Sequence, residues 1–446
     1  MAKAPQSAAV IGGGWAGCSA AVELARAGCK VTLFEAARTL GGRARAVDVQ
    51  GRQLDNGQHI LLGAYKESLR LMRAVGIDLR AAVLTLPLQM RYPKDGGGMD
   101  FVAPRLPAPL HLALALLRAD GLAFADKMAL ARFSSTARWM DWRLHNDCSV
   151  SELLERYDQT ERLIELMWRP LCLAALNTAP ERASAQVFLA VLRDSLGASR
   201  ASSDMLLPRV DLSALFPVAA AAFVERAGGA VRLGAKVAAL APHNDGWLLG
   251  EGERERFDAV VIATAPPAAA TLLEQAGAAT LAATLQHFEY EAITTCYLQY
   301  PAATRLELPF YALRDNAASG HWGQFVFDRG QLDAAQAGLF SVVISASGAA
   351  SELGREALAQ AVAAQVAAVL GRPELVQPEW VQVISEKRAT FACTPGLARP
   401  ANATGLARLA LAGDYTASDY PATIESAVRS GVAAARLVLA AKTSPA

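Results

Sequence analysis

Nowhere in the 446 residues is there an apolar run of the roughly 18 or more residues that a membrane-crossing helix needs. The nearest approach, Leu106 to Leu117, is interrupted by Pro107, Pro109 and His111 and stops at Arg118. Basic blocks are missing as well, and the formal net charge is only +1, which argues against nucleic acid as a partner. No C-x-x-C spacing occurs. Cys18, Cys29, Cys148, Cys172, Cys296 and Cys393 are scattered as small buried thiols would be, rather than set as a disulfide or zinc framework. The six histidines are equally dispersed, so no metal site is expected. The start of the chain has no basic stretch leading into an apolar one, and no internal repeat or low-complexity linker is evident. Charged residues are only 19% of the total and hydrophobic ones 53%, so the expectation is a cytoplasmic protein with a large apolar interior.

What is present begins at once. Ser7 to Ile11 is a short apolar strand, followed by Gly12-Gly13-Gly14-Trp15-Ala16-Gly17. A helix is expected from Ala16 to Ala27, ending at Gly28, and a second strand from Lys30 to Glu35. In this βαβ unit Gly12 permits the tight turn, Gly14 lets a pyrophosphate approach the backbone, and Gly17 allows close packing of helix on strand. The helix N-terminus supplies N–H donors and partial positive charge. Glu35, about 20 residues on, is placed to accept ribose hydroxyls and would repel a 2′-phosphate. Glycine turns after strands also arise for steric reasons alone. The complete unit with its terminal carboxylate favours a dinucleotide, either FAD or NAD.

Gly41-Gly42-Arg43 and Asp55-Asn56-Gly57-Gln58-His59 follow. Paired glycines admit a flat cofactor, and Arg43 offers a planar guanidinium to phosphate oxygens. Near the other end, Leu409 to Ala412 reads as a strand running into Gly413-Asp414. Tyr420-Pro421-Ala422-Thr423-Ile424-Glu425 then opens a terminal helix reaching about residue 441. Between these ends the pattern is mainly helical from about residue 70 to 200. It continues with strands at 230–233, 236–240, 247–250 and 257–263, a β-rich stretch over 292–346, a helix near 352–371 and a strand at 380–384.

In these segments the chain resembles the flavin amine oxidase and phytoene desaturase superfamily. The resemblance implies FAD as cofactor. It places Gly12, Gly14, Trp15, Ala16, Gly17, Gly42 and Arg43 at the pyrophosphate, Glu35 at the ribose and backbone groups of Val237 against the adenine. Asn56, Gly57 and Gln58 would lie beside the isoalloxazine ring, Gly413 and Asp414 at the ribitol and pyrophosphate, and Thr423 and Ile424 at the flavin N1–C2=O edge. The superfamily has glycine near the start of that last helix, where Ala422 and Ser426 stand here, which leaves the backbone contacts there open.

The implied fold is α/β, a two-domain FAD-binding Rossmann-like flavoprotein with a mixed α+β substrate domain inserted in the chain. Residues 1–78, 212–280 and 396–446 would form the FAD-binding domain, and 79–211 with 281–395 the substrate domain.

A narrower resemblance rests on Trp15, on residues 55–65, and on Trp168-Arg169-Pro170-Leu171-Cys172. It extends over Ala175-Leu176-Asn177-Thr178, Val191-Leu192-Arg193-Asp194-Ser195-Leu196 and Tyr420 to Glu425. These segments look like the hydroxysqualene dehydroxylase branch, which implies reduction of an allylic alcohol on a long apolar isoprenoid chain. It implies too an acid near the hydroxyl and an external electron donor whose identity is open. His59 and Asp55 are the candidates for proton supply. His59 serves equally well as a neutral histidine near the cofactor, and Asp55 as a loop cap. Asp194, Asp204 and Arg209 are polar residues of the helical insert, and Cys393 reads as a buried thiol. The same fold would serve a desaturase or amine oxidase working in the oxidising direction, or an escort protein for prenylated chains. Residues 106–133 are either a face for peripheral membrane contact or a core helix.

Overall fold

The computed structural model describes residues 5–94, 97–250 and 254–440. Ten strands carry the architecture. They are β1 (Ser7–Ile11), β2 (Lys30–Glu35), β3 (Ala230–Leu233), β4 (Ala259–Ile262), β5 (Tyr290–Gln299), β6 (Phe310–Ala312), β7 (Phe325–Asp328), β8 (Leu339–Ser345), β9 (Trp380–Phe391) and β10 (Leu409–Leu411). Two helices matter most, α1 (Trp15–Arg26) and α2 (Ile424–Ala440).

The first sheet is parallel throughout, in the order β3-β2-β1-β4-β10. Its central strands are apolar runs such as Ala8-Ala9-Val10-Ile11 and Ala259-Val260-Val261-Ile262, all buried, because both faces of the sheet are covered. Strands from the two ends of the chain thus lie in one sheet. Helix α2 seats directly on α1, since a Cβ on Gly431 would stand 2.1 Å from the Ala16 carbonyl oxygen.

The second sheet is antiparallel, in the order β6-β7-β8-β5-β9. The helix Arg355–Val369 covers one face, burying Leu358, Val362 and Val366 against Cys296, Leu298, Val342 and Ile344. The other face, with Phe310, Phe325 and Phe327, joins the core of the helical insert. Asn177, in the left-handed region at φ 49°, stitches that insert to the sheet. Its Nδ2 donates to Thr390 Oγ1 at 2.9 Å and its Oδ1 accepts from the Ala346 N–H at 2.7 Å.

Three elements depart from the expectations. Residues 236–239 form no strand, and pairing resumes only at Leu240–His243. After β3 the chain turns at Gly234 (φ 67°) across the end of β2, where the Ala235 N–H donates to the Glu35 carbonyl at 2.9 Å. The stretch expected to be mainly helical contains Val83–Leu86, paired with Met205–Pro208, and the hairpin Gln89–Arg91 with Asp100–Val102. Finally, β9 runs on through the polar Ser385-Glu386-Lys387-Arg388 to Phe391, a bulge between Glu291 and Ile293 absorbing the change of register.

Candidate functional site

The glycine loop sits at the carboxyl end of the parallel sheet, where βα units leave a crevice. Gly12 has φ 110°, and a Cβ there would lie 2.5 Å from the Ala263 carbonyl oxygen. A Cβ on Gly17 would lie 1.8 Å from the Gly12 carbonyl oxygen, so helix and loop are in backbone contact. Gly14 caps α1 without a side chain, and its open side meets nothing nearer than Gly42 Cα at 3.8 Å. Gly14 and Gly41 form an isolated parallel bridge, which sets the second glycine pair against the first. Glu35 closes the loop, accepting from the N–H groups of Gly13 at 2.6 Å and Ala37 at 2.7 Å. Trp15 turns away from the loop: its Nε1 donates to the Ala44 carbonyl at 2.9 Å and its ring packs on Phe216. Val237 lies in the irregular segment that crosses the end of β2 beside Glu35.

The C-terminal motif closes onto this loop. Arg43 Nη2 pairs with Asp414 Oδ1 at 2.5 Å, and its Nη1 donates to the Ala389 carbonyl at 2.8 Å. The neighbouring Gly413 N–H donates to Ser430 Oγ on α2 at 2.9 Å. Thr423 caps α2, its Oγ1 accepting from the Ser426 N–H at 3.1 Å, so Ile424 is the first helical residue. Glu425 is buried and serves the scaffold. Its carboxylate accepts from the N–H groups of Glu67 at 3.0 Å and Ser68 at 2.9 Å, capping the helix Lys66–Ala74.

The segment from Asp55 to His59 runs between the two sheets. Asn56 spends its side chain on the backbone, accepting from the Arg45 N–H at 3.1 Å and donating to the Arg43 carbonyl. Gln58 turns toward the second sheet, where its Oε1 accepts from Arg329 Nη1 at 2.8 Å and from Ser341 Oγ at 3.2 Å. A Cβ on Gly57 would touch His59 Cε1 and Thr295 Oγ1, each at 3.8 Å. His59 Nδ1 donates to the Gly57 carbonyl at 2.8 Å, and burial lowers its pKa from the ordinary 6.5.

Asp55 is buried, accepting from the Leu212 N–H at 2.8 Å, with Arg329 Nη2 at 3.8 Å. Burial pushes its carboxyl up to about 6, outweighing the downward pull of Arg329 and the Leu212 N–H. The native state therefore holds this proton more tightly than the unfolded chain, whose carboxyl titrates near 3.8. That contribution is complete below pH 3.8 and is lost as pH rises through about 6. Stability is expected to fall by about 3 kcal/mol across this window, and calorimetry of Asp55→Asn should show the slope flattened. An unchanged slope would mean another group is responsible.

Tyr420 and Asp194, from two distant segments, also meet. The Tyr420 hydroxyl donates to Asp194, Arg193 Nε pairs with the same carboxylate at 2.7 Å, and the Arg429 guanidinium lies 4.6 Å above the Tyr420 ring. These partners hold Asp194 below the usual carboxylate range despite its partial burial. Asp204 is paired with Arg200 at 2.9 Å, and Arg209 donates its N–H to the Ala82 carbonyl at 2.8 Å. Burial pushes the Cys393 thiol up to about 12, as suits an inert buried cysteine.

Sequence reasoning missed Arg329, Thr264 and Thr295. Among the described residues the buried hydroxyls of Thr264 and Thr295 have no hydrogen-bond partner. Thr264 borders the glycine loop, its N–H being 3.1 Å from where a Gly12 Cβ would stand, and Thr295 borders Gly57. The uncapped helix end, the open flank of Gly14, Arg43 and the unpaired Thr264 hydroxyl fit a dinucleotide lying along the glycine loop.

A parallel nucleotide-binding sheet joined to an antiparallel sheet across such a crevice defines a two-domain α/β flavoprotein oxidoreductase. Residues 15–439 match the model of the flavin containing amine oxidoreductase family. The chain belongs to that family and is an FAD-dependent oxidoreductase. It is 33% identical to the hydroxysqualene dehydroxylase of Rhodopseudomonas palustris, over 97% of this chain and 98% of that one. It is 31% identical to the hydroxysqualene dehydroxylase of Sinorhizobium fredii, over 98% and 99%. Cyclohexylamine oxidase from Brevibacterium oxydans has the same fold, with a TM-score of 0.68 at 17% identity over 98% of this chain and 99% of that one.

Proposed function

We propose that this protein reduces hydroxysqualene to squalene. The observation that carries this reading is the similarity to hydroxysqualene dehydroxylases over nearly the whole of both chains. Residues 1–78, 212–280 and 396–446 are assigned to FAD binding, and 79–211 with 281–395 to the substrate.

Gly12, Gly14, Gly17 and Gly42, with the backbone of Trp15 and Ala16, would hold the pyrophosphate, and Arg43 and Asp414 act there as a pair. Glu35 and Val237 would meet the adenosine end, and Asn56, Gly57, Gly413, Thr423 and Ile424 the flavin end. Gln58 contributes through its backbone, since its amide is committed to Arg329. When bound and reduced, FAD supplies the hydride. The protein's part is to hold the alcohol, protonate its oxygen so that the allylic C–O bond breaks and water leaves, and keep other water out. His59 is the better placed proton donor, because Asp55 is bound to Leu212 and faces Arg329.

The test is anaerobic incubation of the chemically reduced holoenzyme with hydroxysqualene. Squalene formed in step with flavin reoxidation is expected. A flavin-loaded protein that makes none, yet desaturates a polyprenyl hydrocarbon with an added acceptor, would establish the oxidising alternative.

No helix among the described residues is long and apolar enough to cross a membrane. Contact with a membrane surface is nevertheless part of the proposal, motivated by one helix pair. Leu117 (71% exposed), Phe124 (78%) and Trp139 (89%) stand out from Leu110–Arg118 and Phe124–Trp139, among the exposed Arg118, Arg132 and Arg138. The wild type should sediment with anionic vesicles and Phe124→Ser/Trp139→Ser should not. Equal recovery of both in the supernatant would remove this contact.

A further inference from the structure

Strand β5 carries two neighbouring threonines in opposite situations. Thr294 is fully buried and fully occupied: its hydroxyl shares hydrogen bonds with Ser347 Oγ at 2.9 Å and Ser385 Oγ at 2.8 Å. Thr295 is 1% exposed, and its Oγ1 has no partner among the described residues. Strand alternation turns Thr295 to the face that carries Tyr297, whose hydroxyl donates to the Asp55 carbonyl at 2.8 Å. Its cross-strand neighbours are Val343 on β8 and Ile384 on β9, neither of which offers a side-chain partner. The hydroxyl instead borders Gly57: it and His59 Cε1 each lie 3.8 Å from where a Gly57 Cβ would stand.

A buried hydroxyl left unpaired in an apolar wall costs free energy unless something else satisfies it. Tolerating it in the segment that Gly57 and His59 share makes physical sense if the missing partner is a ligand. The proposed substrate has a single polar group, and the product has none. We propose that the Thr295 hydroxyl is the hydrogen-bond partner of the substrate alcohol, and that it makes the site prefer the alcohol over the hydrocarbon product. This rests on the reduction of hydroxysqualene proposed above. Thr295 is a positioning and specificity-determining residue in this role: it holds the oxygen that is to leave beside the His59 imidazole. Loss of that oxygen as water then leaves Thr295 without its partner, which favours release of the product.

The experiment uses the oxidised holoenzyme, in which no hydride is available and binding is measured without turnover. Dissociation constants for hydroxysqualene and for squalene are read from flavin absorption changes in the wild type, Thr295→Val and Thr295→Ser. Valine keeps the shape and removes the hydroxyl. It should weaken hydroxysqualene binding about tenfold, as loss of one buried hydrogen bond does, and leave squalene binding unchanged or tighter. Serine should restore the preference, and FAD content and melting temperature should stay level in both variants. Equal weakening of both ligands, or no change for the alcohol, would overturn the assignment. Loss of FAD in the valine variant would give the hydroxyl to the cofactor instead. A wild type that binds no hydroxysqualene would remove the underlying reading and this proposal with it. One that reduces hydroxysqualene while the valine variant keeps its preference would remove this proposal alone.

Discussion

Gly17→Ala is expected to give a protein that purifies nearly free of FAD. The added methyl would stand 1.8 Å from the Gly12 carbonyl oxygen and 3.2 Å from Ala263 Cβ. The first of these contacts is with backbone, so no rotamer change relieves it. Either α1 lifts from β1 and β4, or the loop after Ile11 opens. Both outcomes move the N–H groups at the start of α1, the donors that a pyrophosphate needs within hydrogen-bond reach. Overpacking of this kind costs about 1–3 kcal/mol, and more where backbone rather than side chain must move. The control is Gly348→Ala, where an added Cβ meets nothing within 4 Å and the backbone is not in the left-handed region. The absorbance ratio at flavin and protein wavelengths, with the melting temperature, measures both effects. Wild-type flavin content in Gly17→Ala would show that the helix end does not hold the cofactor.

His59→Gln should lower kcat by about a hundredfold or more, the usual contribution of a positioned proton donor. The wild type carries the diagnostic signature in its pH dependence. Burial holds His59 below its ordinary 6.5, so at neutral pH the ring is mostly neutral, with its Nδ1 proton committed to Gly57. Only the minor imidazolium form can protonate the alcohol through Nε2, and its population rises as pH falls. The rate should therefore climb on acidification from pH 8 and level off below the lowered pKa. A low pKa makes the acid scarcer but stronger, which suits departure of a poor leaving group. In His59→Gln the climb should vanish while FAD remains bound. A variant that keeps both the rate and the acid limb would return the proton to another group.

Much of the nucleotide half was legible because its signals are local. Gly12, Gly14 and Gly17 answer to steric demands within a single βαβ unit, and Glu35 ends the next strand of that unit. The apolar runs of β1 and β4 and the strand before Gly413 are short patterns that neighbouring residues determine by themselves. Where the reading ran short, the deciding partner lay elsewhere in the chain. Asn56 and Gln58 lie two positions apart in a segment expected beside the flavin, yet the Gln58 amide is drawn away by Arg329, 271 positions on. Residues 236–239 have the composition of a strand and form none, because Gly234 carries them off the edge of the sheet.

The sequence by itself therefore determined a dinucleotide-binding βαβ unit near one end of the chain and a strand running into Gly413-Asp414 near the other, since glycine spacing and strand–helix periodicity are properties of contiguous residues. The tertiary structure decided which polar groups are spent and which remain available. Arg43 meets Asp414 across 371 positions, Glu425 caps a helix 357 positions before it, and Thr295 is left unpaired while Thr294 is not. A side chain's hydrogen-bonding state depends on what the fold brings to it, and here those neighbours come from tens to hundreds of residues away.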